Sequence, residues 1–158
     1  MAQEHQYKSL LTWTGNRGAG TKNYKNYDRE YDIIIDGKPT LAGSSDPAFR
    51  GNPERHNPED MLLASISSCH MLWYLHLCSV NKIVVTDYSD PAVGTMVMNP
   101  DGSGQFSSAT LNPEVTVTAG SDIQKAKELH HEANKMCFVA RSMNFPIEHV
   151  PTIKTKQD

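Results

Sequence analysis

A stretch of about twenty residues without glycine or proline dominates the middle of this 158-residue chain. It follows the helix-start signal Asn57-Pro58-Glu59-Asp60 and extends to Asn81. Asn57 is suited to cap a helix and Pro58 to occupy the first helical position, while the two acidic residues favour the positive end of the helix dipole. Twenty helical residues span about 30 Å, the width of a small domain. The sequence therefore predicts one long helix around which the fold is built.

The apolar residues of this helix nearly encircle its axis, which is typical of a helix buried at the centre of a domain. The predicted core stripe comprises Leu62, Ile66, Cys69, Trp73 and Leu77. Side chains become small around Cys69, so we expect another backbone segment to approach the helix closely there. A second thiol, Cys137, follows another helical pattern 68 residues downstream.

Composition narrows the class of protein. The length predicts a single domain, residues 1–158. A formal net charge of −3 and the lack of a basic run argue against nucleic acid or an anionic membrane surface as partner. The polar N-terminus has no signal-peptide pattern, and the long helix, which carries His70 and His76, is not expected to cross a membrane. Three cysteines without close spacing argue against a disulfide framework, so a cytoplasmic location is predicted.

The remaining pattern predicts an α+β fold, with antiparallel sheets packed around two long helices. Strand patterns lie at residues 6–14, 31–35, 38–42, 82–88, 92–98, 106–118 and 147–153. Asp36-Gly37 predicts a tight hairpin within a three-stranded antiparallel sheet. A capping box that starts at Ser121 predicts a second helix that ends near Met136, followed by a short helical piece. Antiparallel pairing is expected because hairpins join the strands.

Three features together resemble one known family. Asn57-Pro58-Glu59-Asp60 is followed by Cys69 ten residues after the glutamate, and Cys137 opens the distant segment Cys-Phe-Val-Ala-Arg-Ser. This combination resembles the OsmC/Ohr family of thiol-dependent peroxidases, and the resemblance covers nearly the whole chain. It implies an intertwined homodimer that reduces organic hydroperoxides without a metal or an organic cofactor. It also implies that a dihydrolipoyl-type dithiol re-reduces the protein.

The resemblance implies roles for the two thiols, with Cys69 as the peroxidatic cysteine and Cys137 as the resolving one. The chemistry is consistent with this assignment. A thiolate that attacks a peroxide becomes a sulfenic acid, and a neighbouring thiol can convert that acid to a disulfide before further oxidation. Cys78, in contrast, is expected to be a packing residue.

A peroxidatic thiol also needs a positive group, and Cys69 lies too far along its helix for the dipole to supply one. Arg17, in a glycine-rich turn, matches the arginine of the hydroperoxide-resistance branch. Arg50, in the irregular loop of residues 43–56, lies near the arginine position of the osmotically inducible branch. We favour Arg17, held in place by a bidentate bond from Glu59.

The spacing along the helix has a further implication. Glu59 and Cys69 are ten residues apart, which is about 15 Å along one straight helix. One arginine cannot bridge that distance. We therefore expect the Glu59 that serves each Cys69 to come from the partner subunit, which places the sites at the dimer interface.

Two other classes of function stay open. The same scaffold can hold a small apolar or thiol-containing ligand without catalysis, with the cysteines as a redox sensor. A zinc site would use His70, His130 or His131, but their spacing matches no zinc-binding pattern. The loop of residues 43–56 and Phe138 after the second cysteine also depart from the family's better-studied members, which leaves the substrate and the reductant open.

Overall fold

The structure is a computed structural model that describes residues 2–156. The chain divides into two compact units, Met1–Leu62 (the N-terminal unit) and Leu63–Asp158 (the C-terminal unit). Helix α1, Pro58–Val80, begins in the first unit and continues through the second. The long helix is thus confirmed, whereas the single domain over residues 1–158 stays a prediction.

The N-terminal unit contains the predicted three-stranded antiparallel sheet. Its strands are β1 (Leu10–Trp13), β2 (Tyr31–Ile34) and β3 (Leu41–Gly43), paired in that order. The hairpin between β2 and β3 turns at Gly37, whose φ of 72° suits glycine. The loop that leads to α1 carries a short 3₁₀ turn, Pro47–Phe49.

The first turn of α1 is capped as the sequence predicts. The Asn57 side-chain oxygen accepts a hydrogen bond from the Asp60 backbone N–H at 2.8 Å, and the Asp60 carboxylate accepts one from the Asn57 N–H at 3.2 Å. Two backbone donors that the helix itself leaves unpaired are thereby satisfied. Because the helix is continuous from this cap to Val80, no break shortens the distance along it.

The buried stripe of α1 differs from the predicted one. Its buried residues are Ile66, His70, Tyr74 and Cys78, whereas Cys69 and Trp73 are only half-buried. A spacing of four residues still selects one face of the helix, but His70 and Tyr74 belong to it because each finds a polar partner there. The prediction of burial on all sides is also wrong for the single chain, in which Leu72 is 63% exposed.

Among residues 2–156, α1 is the helix that is long and apolar enough to cross a membrane by length and composition. Core helices of soluble proteins meet the same two criteria, so this finding is weak evidence for a membrane span.

Two three-stranded sheets form the C-terminal unit. Their strands are β4 (Val85–Ser89), β5 (Val93–Met98), β6 (Gly104–Leu111), β7 (Glu114–Val117), β8 (Ile147–His149) and β9 (Thr152–Thr155). The sheets have the orders β4-β7-β9 and β5-β6-β8. The pairs β4–β7 and β5–β6 are antiparallel, as the sequence predicts, whereas β6–β8 and β7–β9 are parallel and were not anticipated.

Proline explains why two predicted strands each become two. The predicted strand of residues 106–118 divides at Asn112-Pro113 into β6 and β7, and that of residues 147–153 divides at Val150-Pro151 into β8 and β9. Proline has no N–H to give to a strand ladder and interrupts it. Each half then joins a different sheet, so the break passes the chain from one sheet to the other.

The second long helix, α2, covers Ile123–Met136 and is followed by the short α3, Phe138–Arg141. The N-cap of α2 is Asp122 rather than the predicted Ser121. The Asp122 carboxylate accepts a hydrogen bond from the Lys125 N–H at 2.9 Å. The core of the unit joins α1, α2 and the sheet β4-β7-β9. It comprises Tyr74, Cys78, Ile83, Val115, Val117, Ala126, Leu129 and Ala133.

Candidate active site

The structure brings Cys69 and Cys137 together within the C-terminal unit. Cys69 projects from the middle of α1 and is half-buried, whereas Cys137 is fully buried between α2 and α3. Both thiols are free, and Cys69 is near enough to Cys137 to raise its pKa. Neighbouring thiols are the arrangement from which a disulfide can form.

Cys137 occupies a junction that fixes its position. Its backbone N–H donates to the Ala133 carbonyl at 2.9 Å to end α2, and its sulfur accepts a hydrogen bond from the Ala140 N–H at 3.4 Å to begin α3. Burial raises the pKa of Cys137 to about 11, and the hydrogen bond with Cys69 acts in the same direction. Cys137 is therefore a protonated thiol at neutral pH, and the accessible member of the pair is Cys69.

An apolar surface lies beside the thiols. Phe138, the residue after Cys137, is 69% exposed and packs edge-on against Trp73, with ring centroids 5.5 Å apart. Trp73 also lines a cavity of about 280 Å³ together with Leu72 and His76. Open pockets of this kind with apolar walls accommodate small organic groups. The sequence identified Trp73 as a core residue, but it did not indicate the exposed ring of Phe138.

The third thiol, Cys78, lies in the core. It is 1% exposed, and burial raises its pKa. Tyr74, one turn earlier on α1, acts in the opposite direction through a side-chain hydrogen bond. The predicted packing role of Cys78 is confirmed by this location.

The N-terminal unit contains the other three predicted site residues. The Arg17 guanidinium lies 3.5 Å from an Asp28 carboxylate oxygen and donates to the Lys25 carbonyl at 2.9 Å. The ion pairs within residues 2–156 include Arg17 with Asp28 but not the predicted pair of Arg17 with Glu59. The Glu59 carboxylate instead lies near the phenol of Tyr31, whose pKa is raised by burial and then by this negative charge.

Arg50 has a strained backbone, and its side chain has no partner among the described residues. It ends the 3₁₀ turn with a φ of 67°, in the left-handed region that non-glycine residues seldom occupy. No ion pair or hydrogen bond within the described part of the chain holds its guanidinium. Left-handed residues of this kind concentrate at functional sites, where the strain is retained for a purpose.

Histidines form a cluster that the sequence analysis indicated only in part. His70 of α1, His130 of α2 and His149 of β8 lie against one another inside the C-terminal unit. No group of three or more histidine, cysteine, aspartate or glutamate side chains within residues 2–156 is arranged to hold a metal ion. The sequence named His70 and His130 as neighbours of the thiols, but it did not indicate His149, because the three residues come from distant parts of the chain.

Comparison with known proteins places the sequence and the fold in one group. The family of OsmC-like proteins matches residues 51–150. A structure of an OsmC-like protein of unknown function from Vibrio cholerae is 27% identical, with a TM-score of 0.84 over 94% of this chain and 100% of that one. No curated protein matches the sequence.

Two further structures of similar fold carry names that refer to hydroperoxides. An organic hydroperoxide resistance protein from Elizabethkingia anophelis is 17% identical, with a TM-score of 0.71 over 99% of this chain and 100% of that one. An organic hydroperoxide resistance protein from Legionella pneumophila, called OsmC, is 17% identical, with a TM-score of 0.66 over 96% and 99% of the two chains. At this identity they establish the fold, which is the predicted α+β fold.

The unequal environments of the thiols predict the order in which they are alkylated. Because burial raises the pKa of Cys137 to about 11, this thiol is almost entirely protonated at pH 7.5. We expect iodoacetamide to label Cys69 first, and Cys137 and Cys78 only after the protein is unfolded in urea. Peptide mapping by mass spectrometry measures this order. Labelling of Cys137 in the folded protein as fast as that of Cys69 would contradict the assignment.

Proposed function

The chain belongs to the OsmC-like protein family, and we propose that it is a thiol-dependent peroxidase that reduces organic hydroperoxides. The observation that carries the proposal is the proximity of a half-buried Cys69 to a buried Cys137 whose pKa is raised. A pair of thiols that served only for packing would not need this difference in exposure. The names of two structural neighbours, which refer to organic hydroperoxide resistance, support the same activity.

The proposed cycle has three steps. The Cys69 thiolate attacks the peroxide O–O bond, and protonation of the departing oxygen releases the alcohol and leaves Cys69 as a sulfenic acid. Cys137 then loses its proton and attacks the Cys69 sulfur, which forms the disulfide and releases water. A dithiol reductant, of the dihydrolipoyl type that the family resemblance implies, restores both thiols by thiol–disulfide exchange.

The surroundings of Cys69 support an organic substrate. Trp73 lies one turn after Cys69 on α1, and its contact with Phe138 forms an apolar wall next to both sulfurs. Hydrogen peroxide would gain nothing from such a wall, whereas an alkyl or aryl hydroperoxide buries apolar surface against it. Leu72 and His76 complete the adjacent cavity that would hold the organic group.

For the activating cation we propose Arg50, with Arg17 as the alternative. The sequence favoured Arg17, but Asp28 and the Lys25 carbonyl already engage its guanidinium. Arg50 has no such partner among the described residues, and its backbone holds the left-handed conformation noted above. A guanidinium without an internal partner is available to stabilise a thiolate and the developing charge on the peroxide oxygen.

We further propose that the protein is a homodimer whose active sites lie at the subunit interface. A second copy would cover apolar residues that the single chain exposes in its C-terminal unit, among them Leu72, Val80 and Phe138. It would also supply Glu59 across the interface, because ten residues of the continuous helix α1 measure about 15 Å. All three thiols are free, which suits the proposed cytoplasmic location.

Substitution of each cysteine tests the cycle. With cumene hydroperoxide and dihydrolipoamide, we expect Cys69→Ser to lower kcat/KM by about a hundredfold or more, because the nucleophile is lost. Cys137→Ser should still reduce one equivalent of peroxide and then accumulate a sulfenic acid that dimedone traps. Cys78→Ser is the matched control and should retain turnover. If the wild type reduced the peroxide no faster than Cys69→Ser, the result would instead support a ligand-binding or redox-sensing role.

A comparison of two arginine variants identifies the activating cation. We expect Arg50→Ala to lower kcat/KM by about tenfold to a hundredfold, the loss typical of one hydrogen bond to a charged group. Arg17→Ala should have a smaller effect, because it removes an exposed ion pair with Asp28. Steady-state kinetics at pH 7.5 with one hydroperoxide measures both. A larger loss in Arg17→Ala would identify Arg17, which the sequence favoured, as the activating cation.

Mixed dimers test the origin of Glu59. Neither Cys69→Ser nor Glu59→Ala should be active as a homodimer, but a heterodimer of the two contains one site with both residues if Glu59 acts across the interface. Random assembly of equal amounts then gives about a quarter of the wild-type sites. Co-refolding of tagged variants followed by the peroxide assay measures this recovery. No recovery in isolated heterodimers would show that Glu59 acts within its own chain.

A further inference from the structure

Four histidines gather where α1, α2 and β8 meet in the C-terminal unit. His70 Nε2 lies 3.0 Å from His130 Nδ1, and the two rings stack at 5.3 Å between centroids. The His149 ring lies 5.8 Å from that of His70, and the His131 ring 6.2 Å from that of His149. His70 and His130 are 1% and 0% exposed.

The hydrogen bond between His70 and His130 leaves one ring N–H without a partner among the described residues, whichever ring donates. If His70 Nε2 donates, His130 carries its proton on Nε2, where the N–H has no acceptor; if His130 Nδ1 donates, the unpaired N–H is His70 Nδ1. One buried donor is unsatisfied in both cases. The pair therefore holds α1 against α2 through one hydrogen bond and leaves one donor unpaired.

The groups around this pair offer no negative charge to stabilise a proton. Tyr74 of α1 stacks on His130 at 3.7 Å, and its hydroxyl donates to the Ala126 carbonyl of α2. Tyr88 of β4 lies beyond Tyr74, at 6.0 Å between ring centroids. No histidine takes part in the ion pairs formed by residues 2–156. Besides one another, the imidazoles therefore lie next to phenol rings.

The location of the pair connects it to the two thiols. His70 directly follows Cys69 on α1, and His130 lies on α2, the helix that ends at Cys137. A hydrogen bond between the imidazoles therefore ties together the two helices that carry the sulfurs. Any change that separates His70 from His130 also changes the approach of Cys137 to Cys69.

We propose that His70 and His130 are positioning residues that hold α1 and α2 in the arrangement in which Cys137 reaches Cys69, and that acid releases this arrangement. The inference deepens the proposed peroxidase function, because it concerns the step in which the disulfide closes. Neither imidazole touches the peroxide, so both act through the geometry of the thiols.

The direction of the pH effect follows from burial. Burial lowers the pKa of His70 to about 4 and that of His130 to about 3, and the neighbouring imidazoles act in the same direction. When the helices separate, each ring returns toward an ordinary pKa of about 6.5. The separated state then binds more protons than the packed state. Packing is thus favoured fully above about pH 6.5 and is weakened progressively as the pH falls toward 4.

A thiol-exchange assay measures closure without any peroxide. The Cys69 thiolate attacks 4,4′-dithiodipyridine and releases one 4-thiopyridone; the Cys137 thiolate then attacks the Cys69 sulfur, forms the disulfide and releases a second. The rate of the second release reports closure, and Cys137→Ser should abolish it. Loss of the Cys137 thiolate alone slows closure about tenfold per pH unit. We expect the wild type to fall more steeply than this below about pH 5.5.

Two variants separate positioning from a general effect of acid. The double variant His70→Leu/His130→Leu removes both buried proton sites and should fall by only tenfold per pH unit down to pH 4.5. His131→Asn removes an exposed imidazole, leaves the His70–His130 hydrogen bond in place, and should keep the steep wild-type profile. Parallel profiles of the wild type and the double variant would overturn the proposal.

If the double variant does not fold, the titration of the wild type decides. Long-range ¹H–¹⁵N NMR of the histidine rings should show His70 and His130 neutral at pH 5.5 while the fold is retained, and ring protonation only together with loss of the α1–α2 packing. Protonation of either ring above pH 6 in the folded protein would overturn the proposal. Because no peroxide is used, failure of the peroxidase assay would leave this outcome unaffected.

Discussion

Packing of one face of α1 against α2 holds the C-terminal unit together. Four residues at intervals of one turn supply that face, and two of them are polar. The Tyr74 hydroxyl donates to the Ala126 carbonyl, and His70 forms a hydrogen bond with His130. Each of these two buried polar groups therefore bonds to α2. Buried polar groups that are paired in this way help to specify one relative position of the two helices. That position determines where the two sulfurs lie.

The same packing accounts for the difference between the two sulfurs. Cys69 is next to the buried face of α1 but not on it, so it remains partly accessible. Cys137 lies where α2 ends against the core, and its buried sulfur caps the next short helix. In the proposed cycle this environment keeps Cys137 protonated until Cys69 has been oxidised. The fold therefore gives two chemically identical side chains different environments by a small difference in location.

The sequence was informative wherever the determinant was local. The Asn57 cap, the length of α1, the Gly37 hairpin and the resemblance carried by Glu59, Cys69 and Cys137 depend on neighbouring residues or on fixed spacings. The buried stripe was misplaced because hydrophobicity ranks Trp73 above His70, and only tertiary partners make a histidine the better core residue. The parallel pairing of β8 with β6 and of β9 with β7 was missed for the same reason, because it depends on tertiary contacts. Neither the histidine cluster nor the Asp28 partner of Arg17 leaves a periodic signal in the sequence.

The division of the last strands between two sheets has a consequence for biosynthesis. β8 completes one sheet by pairing with β6, and β9 completes the other by pairing with β7, although only Val150 and Pro151 separate them. Neither sheet can close on the ribosome until this stretch has left the exit tunnel. Until then, β6 and β7 present open edges of the kind that invite pairing with other nascent chains. We therefore expect the newly made polypeptide to depend on protection by chaperones until its final strands are in place.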